Sequence, residues 1–267
     1  MKSVADRVVV VTGAGSGIGR ALAQNLARRG ALLALSDIDP DGLAGTVASL
    51  GAATVRSDRL DVRDRAAMAA YAASVAEEFG AVHAVINNAG VALTGQVTDL
   101  TYADLEWVLD IDFWGVVHGT KEFLPHLIAS GDGHLVNISS LFGLMAVPGQ
   151  SAYNAAKFAV RGFTESLRQE MLVGRVPVRV SCVHPGGIRT AIARNARVAE
   201  GEDQAALAAY FDGTLAKTSP ERAAEIIVTG MLAGRPKIVV GPDARFLDLF
   251  VRLVGARYQN VVAAATR

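Results

Sequence analysis

The sequence predicts an α/β protein, a doubly wound parallel sheet of about seven strands with helices on both faces. Three observations point there. Short apolar, β-branched runs alternate along the chain with longer segments of helical periodicity, the order that builds parallel strands with crossover helices. The runs are continuous rather than alternating, as in Arg7–Val11, which marks strands buried on both faces. The first run passes straight into a glycine turn and then a helix, the layout of a nucleotide-binding unit.

The elements follow in order. Strand Arg7–Val11 is followed by the turn Thr12–Gly19 and a helix over 18–29, stopped by Gly30. Ala31–Leu35 is a second strand ending at Ser36-Asp37, and residues 43–50 form a short helix. A third strand begins at Ala53–Val55 and ends near Asp61-Val62. Asp64 caps a helix running to about Phe79. Ala84–Ile86 is a fourth strand, closed by Asn87-Asn88-Ala89-Gly90. Thr101 and Asp104 have capping-box spacing, predicting one long helix over 102–130 with Pro125 near its end. Leu135–Ile138 is a fifth strand, followed by Ser139-Ser140 and an apolar loop. The next helix spans 151–173. Val178–Val183 is a sixth strand, leading into His184-Pro185-Gly186-Gly187-Ile188-Arg189-Thr190. Residues 191–218 carry no single pattern and read as a substrate lid. Ser219-Pro220 starts a helix, Lys237–Val240 is a seventh strand, and 242–258 is a last helix. Without repeat, linker or low-complexity tract, residues 1–267 read as one domain.

Composition narrows the class. Of the 267 residues 51% are hydrophobic, enough for one substantial core. Twenty-six basic residues balance 26 acidic ones, so nothing draws the chain to nucleic acid backbones. Cys182 stands alone and fits a reducing compartment. No apolar stretch reaches the length of a membrane span, and the run after the N-terminus is too short for a signal core. The expectation is a soluble cytoplasmic protein. A mean hydropathy of +0.30 predicts buried subunit interfaces. His83, His118, His126, His134 and His184 are not spaced as metal ligands, and no metal site is read.

The glycine turn has the spacing T-G-x-x-x-G-x-G, since position 20 is Arg. Gly13, Ser16, Gly17, Ile18 and Gly19 would let a pyrophosphate approach backbone N–H groups at a helix N-terminus. Asp37 ends the second strand 18 residues after Gly19. An acid there accepts from ribose hydroxyls and repels a 2′-phosphate, which predicts NAD over NADP. Asp61-Val62 would lie within reach of the adenine.

Chemistry centres on Ser151-Ala152-Tyr153-Asn154-Ala155-Ala156-Lys157. Tyr153 and Lys157 fall one helical turn apart on one face. An ammonium beside a phenol favours the phenolate, so the expectation is a lowered tyrosine pKa and a proton-transfer role.

Taken in order, Thr12–Gly19, Asp61-Val62, Asn87–Gly90, Ser140 with Tyr153 and Lys157, and Pro185–Thr190 resemble the motif set of the short-chain dehydrogenase/reductase family, over residues 5 to about 240. The resemblance implies a Rossmann-type fold and a set of roles. Tyr153 would be general acid in carbonyl reduction and general base in alcohol oxidation. Lys157 would tune it and bind the nicotinamide ribose. Ser140, 13 residues before the tyrosine, would bond the substrate oxygen. Asn88, Ala89 and Gly90 would border the cofactor, and Pro185, Gly186, Ile188 and Thr190 would hold its nicotinamide end. The family's long helices pair across two-fold axes, which implies a homotetramer, or failing that a homodimer; Phe158 and Phe163 are candidates for burial there.

Asp112 departs from the pattern. The family's N-x-x-G segment reads Asp112-Phe113-Trp114-Gly115. In relatives the asparagine's main-chain carbonyl holds a water leading to the lysine. An ionised Asp accepts but cannot donate, so Asp112 is expected to be protonated or bonded to backbone N–H groups, with the relay to Lys157 kept. The alternative is that its charge raises the pKa of Lys157.

The reading that results is an NAD-dependent oxidoreductase acting on a secondary alcohol or ketone. The alternative is a non-catalytic dinucleotide-binding sensor or scaffold, against which the intact Ser140, Tyr153 and Lys157 set weighs. Leu141, Phe142, Leu144, Met145 and Val147, with residues 91–96, should border the substrate and favour an apolar one. Arg189, Arg194 and Arg197 are the candidate cations for a substrate carboxylate. In the last helix Arg245, Asp248, Arg252 and Gln259 form a narrow polar stripe, so the remainder should be buried on the lid or a neighbouring subunit rather than on a membrane.

Overall fold

A computed structural model describes residues 1–266. The strands are β1 Val8–Thr12, β2 Leu32–Asp37, β3 Val55–Arg59, β4 Ala84–Asn87, β5 Leu93–Thr94, β6 Gly133–Ile138, β7 Val178–Pro185, β8 Arg197–Val198 and β9 Lys237–Val240. The helices are α1 Gly17–Arg28, α2 Pro40–Ala48, α3 Arg65–Phe79, α4 Tyr102–Leu109, α5 Gly115–Ala129, α6 Ser151–Val173, α7 Gln204–Tyr210, α8 Pro220–Leu232, α9 Pro242–Val254 and α10 Tyr258–Ala265. Seven strands form one all-parallel sheet in the order β3-β2-β1-β4-β6-β7-β9. This is the predicted Rossmann-type doubly wound sheet.

The continuous apolar runs are buried on both faces. Val9 and Val11 join one core layer with Leu22, Leu26 and Ile227; Val8 and Val10 join the opposite layer with Met68, Phe123 and Leu127. Strand order reverses between β1 and β4, so the loops after them diverge and leave a crevice at the C-terminal edge of the sheet. Thr12, Asn87, Ile138 and Pro185 all end strands at that edge. A buried side-chain chain ties it together. Asn87 Nδ2 donates to Asn137 Oδ1 at 2.8 Å, and Asn137 Nδ2 donates to Thr164 Oγ1 on α6 at 3.0 Å. Helix α6, which carries Tyr153 and Lys157, is thereby indexed to the middle of the sheet.

Two expectations need correction. The single helix over 102–130 is instead α4, a π-helical turn at Asp110–Trp114, and α5. The predicted capping box at Thr101 and Asp104 does start it, with both reciprocal bonds present. The last helix stops at Val254, because Gly255 has φ +59°; a short 3₁₀ turn and α10 follow. Its apolar face is not buried within the chain: Phe246, Leu249 and Leu253 are exposed, while Leu247, Phe250 and Val251 pack beside Leu141 and Met145. Segment 191–218 has structure of its own. It holds α7, a π-helical turn at Phe211–Leu215, and β8, which pairs with β5. Among the described residues no helix is long and apolar enough to cross a membrane.

Candidate active site

The site is built from loops at the C-terminal sheet edge. Gly13 has φ +67°, and a Cβ there would come 2.6 Å from Ala89 Cα, so the glycine turn and the loop after β4 touch backbone to backbone. Asn88 locks that contact, its Nδ2 donating to the Thr12 and Gly13 carbonyls at 3.0 and 3.1 Å. Asn88 is therefore a brace behind the turn. The N-cap Ser16 makes no side-chain capping bond, and no acid sits in the first turn of α1. The first amides of that helix are left for an anion. This cradle fits a dinucleotide pyrophosphate. Among the described residues no group of three His, Cys, Asp or Glu side chains is arranged to hold a metal ion.

Asp37 lies beside the turn: Oδ2 accepts from Gly15 N–H at 2.7 Å and Oδ1 from Asp39 N–H at 2.9 Å. Asp61 is differently placed, its carboxylate clamped by Arg63. That pair holds it below the usual carboxylate range. At the other end, Gly17 and Thr190 meet: a Cβ on Gly17 would stand 3.1 Å from Thr190 Cγ2. Pro185 ends β7, Gly186 N–H donates to the Val240 carbonyl at 2.9 Å, and Ile188 bridges to Thr218.

Sequence reasoning did not single out Asp243. It sits in the first turn of α9 and accepts from Gly187 N–H at 2.7 Å through Oδ2. Its carboxylate fills the space where Gly186 and Gly241 lack side chains. It latches the loop 185–190 to the C-terminal helix across 56 residues of sequence, too far for any local signal. Tyr258 makes a second tie, accepting from Ala146 N–H at 3.0 Å.

Ser139 and Ser140 diverge. Ser139 Oγ donates to the Lys157 carbonyl at 2.8 Å and is buried. Ser140 Oγ accepts from Phe142 N–H at 3.0 Å and lies alongside the Tyr153 phenol. His184 Nδ1–H donates to the Ser140 carbonyl at 2.9 Å, and burial pushes its imidazole down to about 4, so it supports the backbone as a neutral ring. Tyr153 is half-buried, edge-to-face with Phe142 at 6.2 Å and packed on the cluster of Leu93, Val108 and Ala152, which Val91 and Trp107 also border. Arg194 is paired with Asp212; Arg197 is paired with Asp104 and lies 4.0 Å over the Trp107 ring. The wall beside Tyr153 is therefore apolar, and two of the three candidate cations are engaged elsewhere.

Lys157 and Asp112 form a buried ion pair, Nζ to Oδ2 at 3.0 Å, with side-chain exposures of 5% and 0%. Asp112 Oδ1 accepts from Val91 N–H at 2.8 Å. Asp112 is thus bonded to a backbone N–H, and it also reaches Lys157 directly rather than only through a main-chain relay. Gly90 keeps this corner open: a Cβ there would stand 3.2 Å from Asp112 Oδ1 and 3.3 Å from Lys157 Nζ. Burial pushes the Asp112 carboxyl up, against the pull of Lys157 and the Val91 amide. Burial would lower Lys157, but Asp112, then Tyr153, hold it above the usual lysine range. For Tyr153 the expected lowering is reversed. Desolvation raises the phenol and Asp112 adds to it, outweighing Lys157 and Ser140. The lysine ammonium, 5.5 Å from the ring centroid, acts with a carboxylate at its back.

A glycine-turn nucleotide fold with a Ser–Tyr–Lys corner defines a class, the nucleotide-dependent oxidoreductases. Comparison names the family. The family described as short chain dehydrogenase matches residues 7–201, and the chain belongs to it. A protein named as an oxidoreductase, SadH of Mycobacterium tuberculosis (strain ATCC 25618 / H37Rv), is 62% identical over 99% of this chain and 96% of its own. Estradiol 17-beta-dehydrogenase 11 of Mus musculus is 32% identical over 98% and 84%. Among solved structures, a short chain dehydrogenase/reductase from Burkholderia phymatum in complex with NAD superposes with a TM-score of 0.89 at 31% identity, covering 97% of both chains.

Proposed function

We propose that the protein transfers a hydride between NAD(H) and an apolar secondary alcohol or ketone. The observation that carries this reading is the Tyr153–Lys157 pair standing with Ser140 at the sheet edge, between the glycine turn and the loop 185–190. Bound NAD(H) would supply the hydride acceptor or donor. The chain's own residues do the rest. Gly13, Gly17 and Gly19 shape the pyrophosphate cradle, and Asp37 selects the unphosphorylated ribose. Ile188 and Thr190 hold the nicotinamide end. Ser140 and Tyr153 aim two O–H donors at the substrate oxygen, where negative charge develops in reduction. Tyr153 then gives its proton, or takes one in oxidation. Residues 191–218 close the substrate side, and Val91, Leu93, Phe142 and Trp107 favour an apolar substrate. The name of the murine relative is in keeping with that. Formation of NADH with a panel of secondary alcohols tests the reading; no turnover of any alcohol or ketone with either cofactor would leave the sensor alternative.

Cofactor choice follows from charge. The wild-type enzyme should show higher kcat/KM with NAD(H), because a 2′-phosphate would meet the Asp37 carboxylate. Ile38 is exposed next to it, so Asp37→Ala combined with Ile38→Arg should shift preference toward NADP(H). Better efficiency of the wild type with NADP(H) would refute this assignment.

Assembly follows from exposed apolar surface. Trp114, at the end of the π-helical turn before α5, is 48% exposed and Phe158 on α6 is 40% exposed, and α9 presents Phe246, Leu249 and Leu253. A homotetramer built across those helices is the expected state, with a dimer second, in a reducing cytoplasmic compartment that suits the free buried Cys182. Light scattering at micromolar concentration should give four times the chain mass; a monomer would exclude it.

A further inference from the structure

The Asp112–Lys157 pair goes beyond this function, and the inference rests on reading Tyr153 as the proton-transfer group. In a site where the lysine stands unpaired, its full positive charge stabilises the phenolate. Here Asp112 lies in the π-helical turn, held by Val91 N–H on one oxygen and touching Lys157 Nζ with the other, with no exposure to solvent. In a water-excluded corner a carboxylate at 3.0 Å cancels most of the field the ammonium would exert on a third group. We propose that Asp112 is a positioning residue that compensates the charge of Lys157, so that Tyr153 meets the substrate carrying its proton and the site works at neutral pH as a carbonyl reductase.

The chemistry balances. In ketone reduction the Tyr153 O–H bond breaks and its proton passes to the carbonyl oxygen; bound NADH would supply the hydride for the carbonyl carbon. The C=O π bond breaks, new O–H and C–H bonds form, and the tyrosine regains its proton from solvent. Alcohol oxidation needs the opposite starting form, the phenolate, which is scarce here at neutral pH. Reduction then runs with the required form abundant, and oxidation is limited by the small deprotonated fraction and rises with pH.

The groups facing this corner do not supply the missing charge. Cys182 on β7 is buried and its thiol is pushed up to about 12, so it stays neutral. His184 on β7 is neutral and turned to the Ser140 carbonyl. Ser140 offers only a hydroxyl. Arg161 is paired with Glu165 at 2.9 Å further along α6. From the loop after β4 come only the backbone of Gly90 and Val91. Asp112 is the carboxylate that touches Lys157.

The test reads the tyrosine itself. Near-ultraviolet tyrosinate absorbance is followed against pH in the wild type and in Tyr153→Phe, and the difference is the titration of Tyr153. The same pair is made on Asp112→Asn, which keeps the acceptor for Val91 N–H and removes the charge. The expected result is that the Tyr153 transition moves to lower pH by about one pH unit or more. With any alcohol found to be turned over, the rising limb of oxidation should move with it, while KM for NAD changes little. A transition that stays put or moves upward overturns the proposal. Asp112→Ser serves the same test should the Asn variant fold poorly, which circular dichroism reports. The two readings fail separately. A shifted transition in a protein that turns over no alcohol or ketone refutes the dehydrogenase function and keeps the charge compensation; turnover with an unshifted transition does the reverse.

Discussion

Tyr153→Phe is expected to lower kcat by about 10²- to 10⁴-fold, the usual worth of a positioned proton donor, with NADH affinity nearly unchanged. The phenyl ring would keep its edge-to-face contact with Phe142 and its place on the cluster of Leu93, Val108 and Ala152, so folding should survive. Only the proton and one of the two donors on the substrate oxygen are removed. Because that interaction strengthens only as charge develops, kcat and kcat/KM should fall together. Steady-state kinetics with NADH fluorescence titration would check it. Turnover within tenfold of wild type would mean that another group moves the proton.

Gly19→Ala is the second large effect. A methyl group at Gly19 would lie inside the van der Waals shell of the Gly13 carbonyl oxygen and 2.7 Å from Asn88 Nδ2. Neither neighbour can give. Asn88 is bonded to two carbonyls of the same turn, and α1 is pinned by the fully buried Leu22 and Leu26. The turn must open, and the cradle with it. The expected result is a loss of about 1–3 kcal/mol of stability and at least a tenfold loss of NADH affinity, about 1.4 kcal/mol. Gly162→Ala is the control. It lies inside α6 with no atom of its own chain within 4 Å of a new Cβ, so it should leave the turn undisturbed and bind NADH as before. Thermal unfolding and NADH titration read both. Normal NADH binding by Gly19→Ala would show that the turn is not the cofactor cradle.

What could be read from the chain alone were features with local causes. The doubly wound sheet follows from the alternation of continuous apolar runs with helical periodicity, since each pattern reports its own burial. The N-caps at Asp64 and Ser219 and the capping box at Thr101 are short-range bonds between neighbours, so residue type and spacing suffice. The one-turn spacing of Tyr153 and Lys157 is helix geometry. Tertiary structure decided whatever depends on groups distant in sequence. Asp112 lies 45 positions before Lys157, and only folding brings its carboxylate to 3.0 Å of the ammonium; hence an Asp112 charge acting on Lys157 stood in the sequence only as one of two readings, and folding decided the direct contact and the direction of the Tyr153 shift. Asp243 gives no signal next to Gly187, because their bond spans two strand ends that meet only when β7 and β9 pair. The last helix broke at Gly255 and left Phe246 and Leu249 bare, since periodicity tells how apolar a face is and not whether anything in the same chain covers it. Electrostatics and coverage are sums over neighbours in space, and the sequence specifies those neighbours only by folding.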